Sequence, residues 1–284
     1  MSLNPDDPRP PYQQVAAALR TAILTRKIAP GEKLPTQKEL AETYGVARMT
    51  IQQALRILKD ERLTVSRQGA GVFVRARTER PVGLRPHIEA AFEAGNDAGV
   101  TIDFVGYTAE TLHGAVSEAL DKIRAGDVRP PKSLRIRLLL SDMTKPLSLP
   151  VLANNSVEES EAVRQRMANI SSRYAGALYD AVNELADLGR IPEASIEIRT
   201  HGTAPLFKTF IINGVDVFFG FYPVVPHDVR IDGELVSILD PMGKDAAMFQ
   251  HTDDGDPDGT DAQFVAQTRN WFESIWNTIA TPRP

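Results

Sequence analysis

Residues 12–75 carry an ordered run of helix and turn signals that few small folds can accommodate. The first signal is a helix whose apolar residues recur at helical spacing. They are Val15, Ala18, Leu19, Ala22 and Ile23. The segment Ile28-Ala29-Pro30-Gly31 then interrupts the chain, because proline and glycine disfavour the continuation of a helix. The first helix is therefore expected to end at this segment.

Two further helices are predicted after the break. Thr36 and Glu39 have the spacing of a capping box, in which each residue binds the other's backbone N–H group. Gly45 fits the C-terminus of that second helix. A third helix is expected over 47–59, and its inward face contains Ile51, Ala54, Leu55 and Leu58.

A hairpin closes this segment, with β-like runs over Leu63–Arg67 and Gly71–Arg75. The order helix, helix, turn, helix, hairpin is typical of a winged helix-turn-helix. The segment is also basic: residues 9–77 contain 13 Lys or Arg against 5 Asp or Glu, whereas residues 78–284 contain 19 against 30. A small basic unit joined to a large acidic one indicates a head that binds a polyanion.

Length and composition exclude several protein classes. A chain of 284 residues favours two domains. Apolar runs such as Leu138–Leu140 are far shorter than the roughly 20 residues of a membrane-spanning helix, and the N-terminus lacks a signal-peptide pattern. No cysteine is present, which excludes disulfides, thiolate metal sites and a cysteine nucleophile. We expect a cytoplasmic protein without a membrane partner.

The expected fold class is α+β: a winged helix-turn-helix followed by a larger α/β domain with a mixed sheet. The predicted divisions are a flexible arm (1–11), a winged-helix domain (12–76), a linker (77–86) and a larger domain (87–284). Asn213-Gly214 and Asp232-Gly233 predict two tight hairpins, because these residues tolerate positive φ.

The larger domain is predicted to alternate strands and helices. The expected strands are 101–107, 134–140, 195–200, 207–212, 215–221, 229–231 and 235–239. The expected helices are 110–124, 158–188 with a break near Ser171, and 262–279; 146–155 and 251–261 are expected to be loops.

Residues 12–75 resemble the DNA-binding domain of the GntR family of bacterial transcription regulators. The matching residues are 12–15, 28–36, 40–41, 45–50, 54–55, 58 and 68–74. The resemblance implies a winged helix-turn-helix that binds operator DNA. The sequence departs from the family pattern at Lys38, Met49 and Gln52, so we expect an operator unlike the commonest family sites.

The third helix is expected to place its N-terminal end in the major groove. There, arginine can bind guanine and glutamine can bind adenine. Arg56 is better placed for phosphate, and the wing tip is expected to touch the backbone or the minor groove. The candidate DNA-binding residues are Tyr12, Thr36, Lys38, Arg48, Met49, Thr50, Gln52, Gln53, Arg56, Arg67, Gln68 and Gly69.

The second domain resembles the phospholipase D-like fold, whose enzymes carry His-x-Lys-x4-Asp on a strand before a hairpin. Lys208 stands at the Lys position, but Leu206 replaces the His and Asn213 replaces the Asp. Leu206 cannot act as a nucleophile, so the resemblance implies a binding scaffold without catalytic residues. The candidate ligand-binding residues are Arg199, His201, Lys208, Asn213 and Tyr222.

The acidic loop contains Asp254, Asp256 and Asp258 at the spacing that begins an EF-hand. Val265 stands where that loop needs a bidentate glutamate, so no metal or other cofactor is predicted.

The sequence as a whole favours a ligand-responsive repressor that binds a palindromic operator as a homodimer and responds to a small-molecule effector. Two alternatives stay open. One is an enzyme that acts on a phosphate-containing small molecule and carries a DNA-binding head. The other is a ligand-independent plasmid or architectural regulator.

Overall fold

The computed structural model describes residues 3, 7–61, 63–67, 70–75, 83–95, 98–154, 156–243 and 246–283. The chain divides into two compact units, Met1–Arg80 and Pro81–Pro284. Each unit has its own hydrophobic core.

The first unit is a winged helix-turn-helix, as predicted. Its elements are α1 (Pro11–Leu24), α2 (Gln37–Tyr44), α3 (Arg48–Asp60), β1 (Thr64–Arg67) and β2 (Gly71–Val74). The two strands pair antiparallel, with Val65 opposite Phe73. A single bridge between Lys33 and Phe73 adds a short third segment to this wing.

The predicted signals at both ends of α2 are confirmed. The Thr36 hydroxyl accepts a hydrogen bond from the Glu39 N–H (3.3 Å), and the Glu39 carboxylate accepts one from the Thr36 N–H (2.7 Å). The bond from the Thr36 backbone holds the pKa of Glu39 below its usual value. Gly45 follows the helix at φ 67°, a left-handed conformation that glycine adopts without steric cost.

The core of the first unit lies between α1 and α3. Val15, Leu19, Ile51 and Leu58 are almost fully buried there. Burial of such a side chain stabilises the fold by about 1.5–3 kcal/mol. The same packing fixes which face of α3 points away from the core.

The second unit contains four helices and ten strands in the described residues. They are α4 (Leu84–Ala94), β3 (Gly99–Gly106), α5 (Glu110–Ala125), β4 (Ser133–Ser141), β5 (Val151–Leu152), α6 (Glu161–Asp187), β6 (Glu193–His201), β7 (Phe207–Ile212), β8 (Asp216–Phe221), β9 (Val224–Ile231), β10 (Glu234–Pro241), β11 (Phe249–Thr252), α7 (Thr260–Thr278) and β12 (Thr281–Pro282).

A mixed seven-stranded sheet forms the centre of this unit, in the order β11-β8-β7-β3-β4-β6-β12. Strands β3, β4 and β6 run parallel, and each remaining neighbour pairs antiparallel. The main core packs α4, α5 and α6 on one face of the sheet, and a second core packs α7 on the other. The predicted mixed α/β architecture is therefore present.

The two hairpins predicted from dipeptides are also confirmed. Asn213 and Gly214 have φ values of 53° and 66° between β7 and β8, and Asp232 and Gly233 have 51° and 90° between β9 and β10. Two successive positive φ values are those of a type I′ turn. The second hairpin belongs to a separate three-stranded sheet, β5-β10-β9.

Several predicted features of the second unit are wrong. Leu84 begins α4 inside the predicted linker, because its apolar side chain packs into the core and Pro86 fits the first turn of a helix. Strand β5 lies inside the predicted 146–155 loop and pairs with β10. Helix α6 continues through Ser171, which is small enough to be buried on its inner face. The predicted acidic loop over 251–261 loses residues at both ends to β11 and α7.

Candidate nucleic-acid interface

The outward face of α3 is a polar stripe with one exposed methionine. Met49, Gln52, Gln53 and Arg56 follow the i, i+3, i+4, i+7 spacing of one helix face, and all four are exposed. Arg48 precedes them at the first helical position and is also exposed. This stripe, 48–56, is called the α3 stripe below.

The polar groups of the α3 stripe have no partner within the part of the chain that the structure describes. Arg48, Gln52, Gln53 and Arg56 make no hydrogen bond or ion pair to another described residue. Their donors and acceptors are therefore free for an external ligand. Arginine offers a donor pair that matches guanine O6 and N7, and glutamine offers a donor and an acceptor that match adenine N6 and N7.

The N-terminus of α3 is open as well. Ala47 occupies the N-cap without a side-chain hydrogen bond, and the first turn contains no acidic residue. The free N–H groups and the positive end of the helix dipole favour an anion at this position. The preceding helix α2 differs, because Thr36 and Glu39 occupy its N-terminus.

The wing positions one further predicted residue. The Arg67 guanidinium lies 4.6 Å above the centre of the Phe73 ring, which orients the side chain at the end of β1. Gly71 has φ 115°, and a Cβ there would lie 2.9 Å from the Lys33 Cε atom. Gln68 and Gly69, predicted at the wing tip, lie outside the described residues.

The other predicted DNA-binding residues have mixed surroundings. Tyr12 is half-buried at the start of α1, and its hydroxyl accepts a hydrogen bond from Gln13 Nε2 (3.2 Å). Lys38 is exposed with its Nζ 4.0 Å from a carboxylate oxygen of Glu42. Thr50 is half-buried on α3. The Thr36 hydroxyl caps α2 by accepting the hydrogen bond from the Glu39 N–H, so this predicted DNA-binding residue has a structural role in the helix.

In the second unit, the structure brings Lys208 and Tyr222 to one end of the sheet. Lys208 is only 1% exposed, and its Nζ donates a hydrogen bond to the Gly243 carbonyl (2.6 Å). The Tyr222 hydroxyl accepts from the Tyr107 N–H (3.4 Å). Burial raises the pKa of Tyr222, so its phenol is neutral. Both residues lie near the carboxyl end of β3.

The remaining three predicted ligand residues do not join that pair. Asn213 is five residues along β7 from Lys208, which is about 16 Å in a strand, and its Oδ1 accepts from the Thr101 N–H (2.9 Å). Arg199 packs on the α7 side of the sheet, 4.5 Å from the Trp276 ring centre, and donates to the Trp276 carbonyl. His201 also ends β6 on the α7 side, since side chains two residues apart share a face.

His201 has its own surroundings at the carboxyl end of β6. Its Nδ1 lies 2.6 Å from the Thr203 hydroxyl. Burial, as the largest cause, lowers the pKa of His201, although the nearby Asp142 carboxylate opposes the shift.

Sequence reasoning missed a buried polar pair at the same end of the sheet. The Tyr107 hydroxyl donates a hydrogen bond to Asp240 Oδ1 (3.2 Å). Burial raises the pKa of Asp240 above its ordinary value. The sequence signal was an aspartate directly after the mostly apolar run Leu235–Leu239. Leu206, at the position of the absent nucleophile, is 53% exposed.

A groove of about 490 Å³ opens elsewhere on the sheet. Arg135, Ser195, Glu197 and Trp276 contribute to its lining. None of these four residues was predicted as a ligand-binding residue. No helix in the described part of the chain could cross a membrane.

Comparison with known proteins identifies the first unit. The sequence profile of the family described as "Bacterial regulatory proteins, gntR family" matches residues 11–74. The repressor NagR of Bacillus subtilis is 39% identical over 26% of this chain and 30% of its own length. The mannosyl-D-glycerate transport/metabolism system repressor MngR of Escherichia coli is 39% identical over 24% of this chain and 28% of its own length. The chain therefore spans under a third of these curated relatives.

The match to another curated relative extends into the second unit. The HTH-type transcriptional regulator Rv0792c of Mycobacterium tuberculosis is 25% identical over 69% of this chain and 68% of its own length. Among solved structures, the DNA-binding domain of AraR in complex with operator ORX1 is 37% identical, covering 26% of this chain and 94% of its own, with a TM-score of 0.25. YtrA from Sulfolobus acidocaldarius, a GntR-family transcription factor, is 30% identical over 27% of this chain and 80% of its own, with a TM-score of 0.26.

Proposed function

Because residues 11–74 are a GntR-family DNA-binding domain, we propose that the protein is a sequence-specific transcription regulator that represses its target genes in the bacterial cytoplasm. The observation that carries this proposal is the α3 stripe, whose arginine and glutamine side chains are exposed and unpaired among the described residues. Several relatives of this domain are named as repressors, which supports repression here.

The binding mode that we propose is a homodimer on a palindromic operator. One head reads only a few base pairs, and a second copy related by a two-fold axis doubles the contacts. Half-sites would then lie about 34–36 Å apart or a multiple of that distance, so that both α3 helices enter the major groove. The larger unit is proposed to supply most of the contact between copies.

The larger unit is also proposed to bind a small-molecule effector at the carboxyl end of its parallel strands. In that sheet β3 has a parallel neighbour on one side and an antiparallel neighbour on the other. Open α/β sheets commonly bind ligands outside the carboxyl ends of their parallel strands. Lys208 and Tyr222 lie there, and the buried ammonium group of Lys208 favours an anionic ligand.

Effector and operator affinities would then be linked reciprocally. We propose binding without catalysis at this place, because Leu206 has no nucleophilic atom at the position where phospholipase D-like enzymes carry histidine. The phospholipase D-like resemblance itself stays a prediction.

The test of DNA recognition is selection of duplexes from a random library by the purified full-length chain. We expect enrichment of a two-fold symmetric sequence that binds at least about a thousandfold more tightly than a scrambled duplex at physiological salt. Equal affinity for the selected and scrambled duplexes would contradict the proposal.

The test of effector binding is a thermal-shift screen of anionic metabolites against the wild type and Lys208→Met. Methionine keeps most of the aliphatic volume but removes the charge. A ligand at 100 times its Kd stabilises the wild type by about 2.7 kcal/mol. A ligand that stabilises both proteins equally would bind elsewhere.

A further inference from the structure

Among the described residues of the first unit, the most exposed large hydrophobic side chain lies at the start of the α3 stripe. Met49 is 67% exposed and takes no part in the core of that unit. Single exposed apolar residues are common on protein surfaces. Met49 differs in its neighbours, because Gln52 and Gln53 lie three and four residues further on and therefore share its helix face.

We propose that Met49 is a specificity-determining residue that contacts the C5 methyl group of one thymine in each operator half-site. This inference rests on the proposed function. In the major groove, the thymine methyl is the apolar group that distinguishes an A·T pair, and apolar side chains contact it. The methionine thioether arm is long, unbranched and adaptable, so it can reach a methyl group beside the helix.

The neighbours of Met49 make an A·T pair the natural target. A glutamine binds adenine N6 and N7, and the partner thymine of that adenine presents its methyl group in the same groove. Gln52 or Gln53 can therefore contact an adenine while Met49 covers a thymine methyl of the same or an adjacent pair. Arg48, one residue earlier, is placed for a guanine. The half-site is thus expected to contain an A·T pair next to a G·C pair.

The experiment is a thymine-to-uracil scan of the selected duplex, because uracil lacks only the methyl group. Each thymine of a half-site is replaced in turn, and full-length protein is titrated against each duplex by fluorescence anisotropy. We expect one position per half-site at which uracil weakens wild-type binding by about fourfold, which corresponds to one buried methyl group. The other thymines should change affinity by less than about 1.5-fold, since they lose no apolar contact.

Two variants assign that loss to Met49. In Met49→Ala, binding is weaker and the thymine and uracil duplexes bind equally. In Arg56→Ala, the matched control on the same stripe, binding weakens but the preference for thymine persists. Both side chains are exposed, so neither change disturbs the core.

The outcomes separate this inference from the proposed function. A selected duplex that binds tightly but shows no uracil-sensitive position would overturn the role of Met49 and leave DNA recognition intact. A uracil-sensitive position that persists in Met49→Ala would overturn it equally. Failure to select any preferred duplex would overturn both.

Discussion

Two arginines of the first unit and one of the second have opposite surroundings. In the first unit, Arg48 and Arg56 are exposed on α3 and unpaired among the described residues. In the second unit, Arg137 is buried between strands and helix α7, where it binds both carboxylate oxygens of Asp103 (2.7 Å each) and one of Glu273 (2.6 Å). The guanidinium also lies 4.6 Å from the Phe272 ring centre.

The difference indicates that the charge of Arg137 has a structural role and that the charges of Arg48 and Arg56 are available for binding. A buried cation must have partners, because removing a charge from water costs several kcal/mol that only close acceptors repay. The partners of Arg137 raise its pKa despite the opposing effect of burial. An exposed cation keeps its hydration and requires no partner within the protein, so Arg48 and Arg56 can bind a partner outside it. The following predictions test this contrast.

The largest effect is expected from Arg137→Leu. The change leaves the buried Asp103 carboxylate without its partner and should lower the free energy of unfolding by about 3–5 kcal/mol. Urea denaturation followed by circular dichroism measures the loss.

Two controls accompany that change. Arg135→Ala, on the same face of β4 but exposed, should alter stability by less than about 0.5 kcal/mol. The double variant Asp103→Leu with Arg137→Leu should regain most of the loss, because no buried charge remains. A double variant as unstable as the single one would refute the ion-pair explanation.

The second prediction concerns His87 of α4, which packs edge-on against Phe218 with its Nε2 buried and unpartnered. Burial lowers the pKa of His87 to about 3. The unfolded chain binds this proton below about pH 6.5, whereas the folded chain does not, so stability falls as pH falls from 6.5 towards 3. His87→Leu removes this loss. The free energy of unfolding of the variant should therefore rise relative to that of the wild type by about 1.4 kcal/mol for each unit by which pH falls between 6 and 4.

Urea denaturation of both proteins at pH 7.5, 5.5 and 4.5 provides the measurement. A constant difference between His87→Leu and the wild type at all three pH values would show that His87 does not titrate in this way.

The third prediction concerns the exposed cations. Arg48→Ala should weaken binding of the selected duplex by about 1–3 kcal/mol and relax preference at one base position. Lys59→Ala, in the last turn of α3, should leave the preference unchanged. Anisotropy titrations with single-base variants of the duplex measure both. An equal loss on scrambled DNA would make Arg48 a phosphate contact only.

The smallest effect is expected at the cap of α2. Thr36→Ala removes the hydroxyl of the capping box and should destabilise that helix by about 1 kcal/mol. Thr36→Ser keeps the hydroxyl and should behave like the wild type. Native-state hydrogen exchange of the α2 amides in the full-length chain measures the difference as roughly fivefold faster exchange. Unchanged exchange in Thr36→Ala would show that the cap contributes nothing.

The first unit could be predicted almost completely because its signals are local. The capping box joins Thr36 to a residue three positions away, and Gly45 needs only its own left-handed conformation. The two hairpin dipeptides of the second unit, Asn213-Gly214 and Asp232-Gly233, were recognisable for the same reason. Helix α4 was missed because Pro86, near its start, is typical of a linker. Only the packing of Leu84 in the core shows that this residue belongs to the helix.

The sequence did not predict which of the candidate ligand-binding residues of the second unit lie close together. Lys208 and Asn213 are near in sequence, but the extended strand β7 places them at its opposite ends. The pairs that do meet are Asp103 with Arg137 and Tyr107 with Asp240, which are 34 and 133 residues apart.

The amino-acid sequence alone predicted the winged helix-turn-helix and the outward side chains of its third helix, because the capping box and the apolar periodicity are patterns within a few helical turns. Tertiary structure alone decided which polar groups of the larger unit meet. Strand order and register join residues from distant parts of the chain, and no local pattern in the sequence encodes that pairing.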